Sequence, residues 1–330
     1  MKLSDELKSK NINFKNRIVM PPMATAKADK NGHVTEEILH YYEDKTKNKL
    51  FSTVIIEHCF VDVLGKASKN QTSIADDSTI DGMKKLANLV KSNDSNVVLQ
   101  ISHAGSSASE AVIGKKPVAP SAIKNPSKST TEIPRELTVE EIEQIIEKFV
   151  DAAVRAKKAG FDGVEIHSAH GYLLNQFLSP ITNKRTDEYG GDIDGRIKIH
   201  LEIIRKIREK VGENYPIFIR MGAGDYLEGG LSTEDSIHAA QEFVKAGVDV
   251  LDISGGMCMF SIDDQRAGFF DFLSKPIYEN VDVPVILTGG VKTGKDVEDI
   301  LNRGVCDLVG VGRSVFKDSN WIENEIKPLI

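Results

Sequence analysis

Cysteine is scarce in this chain, and the three present stand apart. Cys59, Cys258 and Cys306 form no C-x-x-C pair, which excludes the usual spacing of an iron–sulfur or structural zinc site. No apolar run approaches the roughly 18 residues that a membrane span requires. Met1 to Lys15 is polar and has no signal-peptide core. Long basic runs are missing as well, and with a net charge of −7 no nucleic-acid surface is expected. What remains, 40% hydrophobic and 28% charged residues over 330 positions, is ordinary for a soluble globular protein. A cytoplasmic protein with neither membrane nor nucleic-acid partner is the simplest expectation. The length admits two domains, or one α/β barrel of roughly 250 residues with insertions.

Internal repetition favours the barrel. Gly160 is followed by Phe161-Asp162-Gly163-Val164-Glu165-Ile166, Gly247 by Val248-Asp249-Val250-Leu251-Asp252-Ile253, and Gly304 by the looser Asp307-Leu308-Val309-Gly310-Val311. Each copy follows an amphipathic stretch, so the glycine reads as a left-handed helix cap and the run behind it as a buried parallel strand. Thr138 with Glu141 predicts a capping box ahead of a stripe of Ile142, Ile145, Ile146, Phe149 and Ala153. Ser232 with Asp235 opens another helix, with Ile237, Ala240 and Val244 facing inward. Thr293 caps a third, with Val297, Ile300 and Leu301 on its core side. Further strands are expected at Arg17–Met20, Thr53–Glu57, Val97–Ile101, Ile217–Met221 and Val283–Leu287. Eight strands alternating with helices predict an α/β fold of the (β/α)8 TIM-barrel type, a single domain over residues 1–330. An open sheet with one more strand is the competing topology. Two connections are long: Ala104 to Leu137 after the third strand and Ser168 to Asp192 after the fourth. Both leave the strand ends where barrels hold substrates, although Pro117 to Pro134 also reads as a flexible surface insert.

The densest chemical signal is Glu165-Ile166-His167-Ser168-Ala169-His170-Gly171-Tyr172. Two imidazoles three residues apart at a strand end can direct N–H groups at one oxygen, and the Tyr172 phenol can supply a proton. A metal pair would need a third ligand, and none with ligand spacing stands nearby; surface histidines are the other reading.

That run continues as Leu173, then Phe177-Leu178-Ser179-Pro180, then Asn183-Lys184-Arg185-Thr186-Asp187-Glu188-Tyr189-Gly190-Gly191. With Asn16-Arg17-Ile18-Val19-Met20-Pro21-Pro22-Met23, Gln100, Ile219-Arg220-Met221 and Gly310-Val311-Gly312-Arg313, it resembles the Old Yellow Enzyme family, in family order from residue 16 to about 318. The resemblance implies FMN across the barrel mouth, reduced by NADH or NADPH, and a small-molecule activated alkene as substrate. It implies cofactor contacts from Pro22, Met23, Ala24, His58, Gln100, His167, Arg220, Gly289, Gly290, Gly310, Gly312 and Arg313. It implies that His167 and His170 bind the substrate oxygen while Tyr172 protonates the α-carbon. Each assignment has a physical basis. Glycines at the ends of the seventh and eighth strands expose N–H groups, and Arg313 adds a fork of donors for a phosphate. Arg220 places positive charge where a reduced flavin gathers negative charge. Plain tight turns and a barrel-interior salt bridge are the respective alternatives.

Several positions depart from the family. Ala24 stands where many members carry Cys or Thr, Ala26 where one subgroup has Tyr, and Ser106 where Arg is frequent. His58 occupies a position usually given to small residues. After Trp321 there is no arginine of the kind some members insert into a neighbouring subunit, and no further domain is read after residue 315, so the stand-alone barrel form is expected. Members are often homo-oligomers. A phosphate-binding barrel lyase or isomerase, and a flavin barrel with another redox substrate or a sensing role, remain the alternatives.

Overall fold

The computed structural model describes residues 1–128 and 132–330. Eight parallel strands close into a barrel: Ile18–Met20 (β1), Thr53–Phe60 (β2), Asn96–Ser102 (β3), Gly163–Ser168 (β4), Ile217–Gly222 (β5), Val250–Ser254 (β6), Val285–Thr288 (β7) and Leu308–Gly310 (β8). Each pairs with its sequence neighbours, and β8 closes on β1 through Val309↔Ile18. Helices Glu36–Thr46 (α1), Ile80–Ser92 (α2), Val139–Lys158 (α3), Ile193–Val211 (α4), Thr233–Ala246 (α5), Asp271–Tyr278 (α6), Gly294–Asn302 (α7) and Arg313–Lys317 (α8) separate or follow the strands. The expected (β/α)8 barrel is the fold, with long connections after β3 and β4.

The local signals explain the elements. Thr138/Glu141 and Thr293/Asp296 form capping boxes, and Ser232 accepts from the Asp235 N–H. Gly160, Gly247 and Gly304 adopt φ of +87°, +121° and +62°, conformations that cost a side chain strain. On α5 the buried residues include Ala240 but also Ser236, Ala239 and Phe243, while Ile237 and Val244 are only partly buried. The seventh strand begins at Val285, since Pro284 has no N–H to give a ladder.

The period of two along each strand divides the barrel. Outward residues such as Val97, Leu99, Val164, Ile166, Ile219, Leu251, Leu287 and Val309 join the helices in the main core. Inward, Val19, Ile55, Val98, Phe218, Val250, Ile286 and Leu308 form an apolar plug, closed from below by Ile12 and Phe14 of an N-terminal hairpin. Two residues further along their strands, Gln100, Glu165, Arg220, Asp252 and Thr288 make a polar layer above that plug. The barrel is therefore dry at one end and charged at the other.

The strand β2 runs three residues past its expected end at Glu57. Phe60 bridges Ser73 and exchanges hydrogen bonds with Thr72 and Ile74, which keeps it extended. Its register with β3 shifts between Ile56 and Cys59, so His58 sits at a bulge inside the strand.

The two long connections lie against each other. The first is pinned by Val118–Ala119 pairing with Arg135–Glu136, and by Asn125, which donates to Ser106, Ser107 and the Gly171 carbonyl. The stretch that also reads as a surface insert is thus anchored at its ends; within it, residues 129–131 lie outside the described residues. Arg185 of the second connection donates to the Pro120 and Leu137 carbonyls, and Asn183 to those of Phe177 and Tyr189. Much of the run from Asn183 to Gly191 is scaffold.

Candidate active site

A cavity of about 740 Å³ opens at the C-terminal ends of the strands, within the roughly 300–1,000 Å³ typical of ligand sites. Its wall includes Pro22, Met23 and Ala24 after β1, His58 on β2, Gln100 on β3, His167, His170 and Tyr172 at the end of β4, and Arg220 on β5. Gly289 and Gly290 after β7, Gly310 on β8, and Gly312 and Arg313 beyond it complete the set. All fourteen residues named from the sequence line this one space. Ala26 and Ser106 do not line it.

The aromatic groups form a tight cluster. The rings of His167 and Tyr172 are 4.7 Å apart, His167 and His170 5.2 Å, His58 and Tyr172 5.5 Å. His170 is held by backbone and side chain: φ is +58°, its N–H donates to the Gly255 carbonyl, and Nε2 lies 2.8 Å from Ser254 Oγ. Burial pushes the pKa of His167 and His170 well below the ordinary value. For His167, neighbouring His170, His58 and Arg220 add to the effect. These imidazoles are neutral at pH 7, so what they offer an anion is N–H donation and not charge. Burial raises the Tyr172 pKa, so the phenol keeps its proton.

Beneath this cluster lies the charged layer. Gln100 Nε2 donates to Glu165 Oε1 at 2.7 Å, which orients the amide. Arg220 Nε approaches Asp252 Oδ2 at 3.4 Å, an ion pair without hydrogen-bond geometry. Arg220 is thus both a wall of the cavity and a barrel-interior ion pair. Burial raises the pKa of Glu165, helped by Asp252, while Arg220 and Gln100 oppose it. Asp252 is raised by burial to about 6 against the pull of Arg220.

The lining fits a flavin nucleotide. Arg220 Nε, His167 Nδ1 and Thr288 Oγ1 are buried without a hydrogen-bond partner. Each such group costs about 1–3 kcal/mol unless a ligand supplies one. At the far end, Gly290 has φ +71°, and a Cβ there would lie 2.2 Å from the Arg266 carbonyl oxygen. Only glycine lets these connections approach. Arg313 stands over the Phe269 ring at 5.9 Å, with Lys292 and Ser314 nearby on the wall. Gln100 and Arg220 would face the polar edge of a planar ring, and Arg313 would face its phosphate.

Sequence reasoning missed Asp252, Ser254 and Thr288, although strand parity marks them as inward once Val250 and Ile286 are placed. It missed the β6–α6 connection too, where Met259, Phe260 and Ile262 face the cavity and Phe260 is 57% exposed. It also missed Asp225, whose buried carboxylate accepts from Ser179, Leu231 and Met257 and so joins three connections. No local pattern marks either.

The family model described as NADH:flavin oxidoreductase / NADH oxidase family matches residues 2–327. An NADH oxidase from Thermoanaerobacter brockii is 41% identical over 318 residues, covering 94% of this chain and 48% of the relative. A 2-naphthoyl-CoA reductase solved with 2-naphthoyl-CoA superposes with a TM-score of 0.91 at 26% identity, over 100% of this chain and 53% of that one. Morphinone reductase solved with tetrahydroNAD gives a TM-score of 0.84 at 26% identity, over 98% of this chain and 90% of that one. The chain spans about half the length of the curated relatives it matches.

Proposed function

The chain belongs to the NADH:flavin oxidoreductase / NADH oxidase family, the Old Yellow Enzyme group of FMN barrels with a nicotinamide reductant, and from that premise we propose that it reduces activated carbon–carbon double bonds of α,β-unsaturated carbonyl or nitro compounds. The chemistry that FMN would supply here is hydride transfer from NADH or NADPH to the β-carbon of an alkene. The protein's part is binding, charge and one proton. Gln100 and Arg220 hold the polar edge of the ring, and Gly289, Gly290, Gly310, Gly312 and Arg313 hold the phosphate. Pro22, Met23 and Ala24 bound the ring on the β1 side. His167 and His170 donate to the substrate oxygen. They accelerate the reaction to the extent that they bind the enolate-like state more tightly than the alkene. Tyr172 Oη gives its proton to the α-carbon.

The observation that carries this reading is the convergence of His167, His170 and Tyr172 in the same cavity as Gln100 and Arg220. The test is anaerobic. FMN-loaded protein is reduced with NADH or NADPH and mixed with a panel of enones and nitroalkenes, which should reoxidise it. Reoxidation by oxygen alone refutes the ene-reductase reading and leaves a flavin barrel with another acceptor. In His167→Ala, alkene reduction should slow by about 10²–10³-fold, the loss expected of one oxyanion donor.

A further inference from the structure

The mouth of the barrel holds a third histidine whose proton is fixed by a relay outside the cavity. The Ala67 N–H donates to Gln71 Oε1 at 2.6 Å, which settles the orientation of the buried Gln71 amide. Its Nε2 then faces His58, 3.1 Å from the carbonyl oxygen and 2.7 Å from Nδ1. An amide nitrogen donates and does not accept, so Nδ1 is the bare nitrogen of His58 and Nε2 carries the hydrogen. The β2 bulge aims this ring into the cavity. Its centroid is 5.5 Å from that of Tyr172 and 6.3 Å from that of His167, so it borders the space where Tyr172 and His167 face the substrate. Burial holds the His58 pKa down to about 4, so the group is a neutral donor at physiological pH.

His167 and His170 sit side by side at the end of β4, their ring centroids 5.2 Å apart, whereas His58 reaches the same space from β2, 5.5 Å from the Tyr172 ring and 6.3 Å from that of His167. We propose that Gln71 locks His58 as an Nε2–H donor and that this third imidazole selects substrates whose activating group carries two acceptor oxygens, such as nitroalkenes, over those carrying one, such as simple enones. His58 is then a specificity-determining residue and Gln71 a positioning residue. The proposal rests on the ene-reductase reading of this site.

The test compares kcat/KM for 1-nitrocyclohexene and 2-cyclohexenone in the FMN-loaded protein and in His58→Leu and Gln71→Leu. Intrinsic electrophilicity cancels when each variant's ratio is divided by that of the parent. Loss of one donor should lower the nitro-to-enone ratio by about tenfold in His58→Leu and by less in Gln71→Leu. An unchanged ratio in both variants with FMN still bound overturns the proposal. A changed FMN affinity or visible spectrum with an unmoved ratio also overturns it and assigns His58 to the cofactor. If the parent is reoxidised by neither alkene, it is the ene-reductase reading that has failed. NMR of the His58 ring nitrogens in the FMN-loaded parent then tests the relay alone: an Nε2–H tautomer supports it, an Nδ1–H tautomer refutes it, whether or not the variants fold.

Discussion

Removing the Asp225 carboxylate should loosen the whole rim of the cavity. The side chain is 1% exposed, and its oxygens accept from Ser179 Oγ at 2.6 Å, Leu231 N at 3.0 Å and Met257 N at 3.0 Å. These donors belong to the connections after β4, β5 and β6 respectively. Asp225→Ala leaves two buried backbone N–H groups without an acceptor, while the Ser179 hydroxyl can turn elsewhere. Hydrogen bonds to a charged group contribute about 1.5–3 kcal/mol and an orphaned donor costs about 1–3 kcal/mol, so a loss of about 3–5 kcal/mol is expected, far above an average substitution. Asp225→Asn keeps one oxygen and should cost about half as much, because its NH2 then faces a donor. Met257 also carries the carbonyl that accepts from Ser127, and the residues after it line the cavity, so FMN affinity should fall in the same order. Urea unfolding of the apo-protein measures the stability term and fluorescence titration the FMN term. If Asp225→Ala costs less than about 1 kcal/mol, or is no worse than Asn, the three connections are not held by this carboxylate.

Arg220→Met strands the buried Asp252 and Glu165 carboxyls and should cost about 3–5 kcal/mol along with FMN affinity. Adding Asp252→Asn should recover part of the stability, and a double variant no more stable than Arg220→Met refutes the pairing. Tyr172→Phe should slow alkene reduction by about 10²–10⁴-fold while leaving flavin reduction by nicotinamide unchanged. Stopped-flow measurement of the two half-reactions decides it, and an unaltered oxidative half-reaction removes Tyr172 from proton transfer. His200 is fully buried, 2.8 Å from Ser168 Oγ, and burial pushes its pKa down to about 3. Its folded pKa lies below the unfolded one, so the unfolded chain binds the proton first. Its contribution is complete above about pH 6.5 and is lost as pH falls toward 3, about 2 kcal/mol being gone by pH 5. Urea unfolding at pH 7 and pH 5 should therefore show a smaller acid loss in His200→Gln; an equal loss rejects this assignment.

Much of this molecule is readable along the chain. The glycine-ended repeats, the capping pairs and the alternation of apolar runs follow from local backbone and side-chain preferences, which is why the strands appear near their expected places. The fourteen candidate residues were reachable because motifs resembling the Old Yellow Enzyme family imply them, and they meet in one cavity because parallel strands of a barrel deliver their C-terminal ends to the same rim. The limits are equally physical. The extension of β2 past Glu57 depends on a bridge to Ser73, and no local preference encodes a partner thirteen residues away.

By itself, then, the sequence determined the barrel and fourteen of the groups at its mouth. Only the tertiary structure decided which of those groups are charged, which face each other and which nitrogen carries a proton. Those properties come from burial and from neighbours such as Asp252 beside Arg220, or Gln71 behind His58, that meet only when the strands close into a ring.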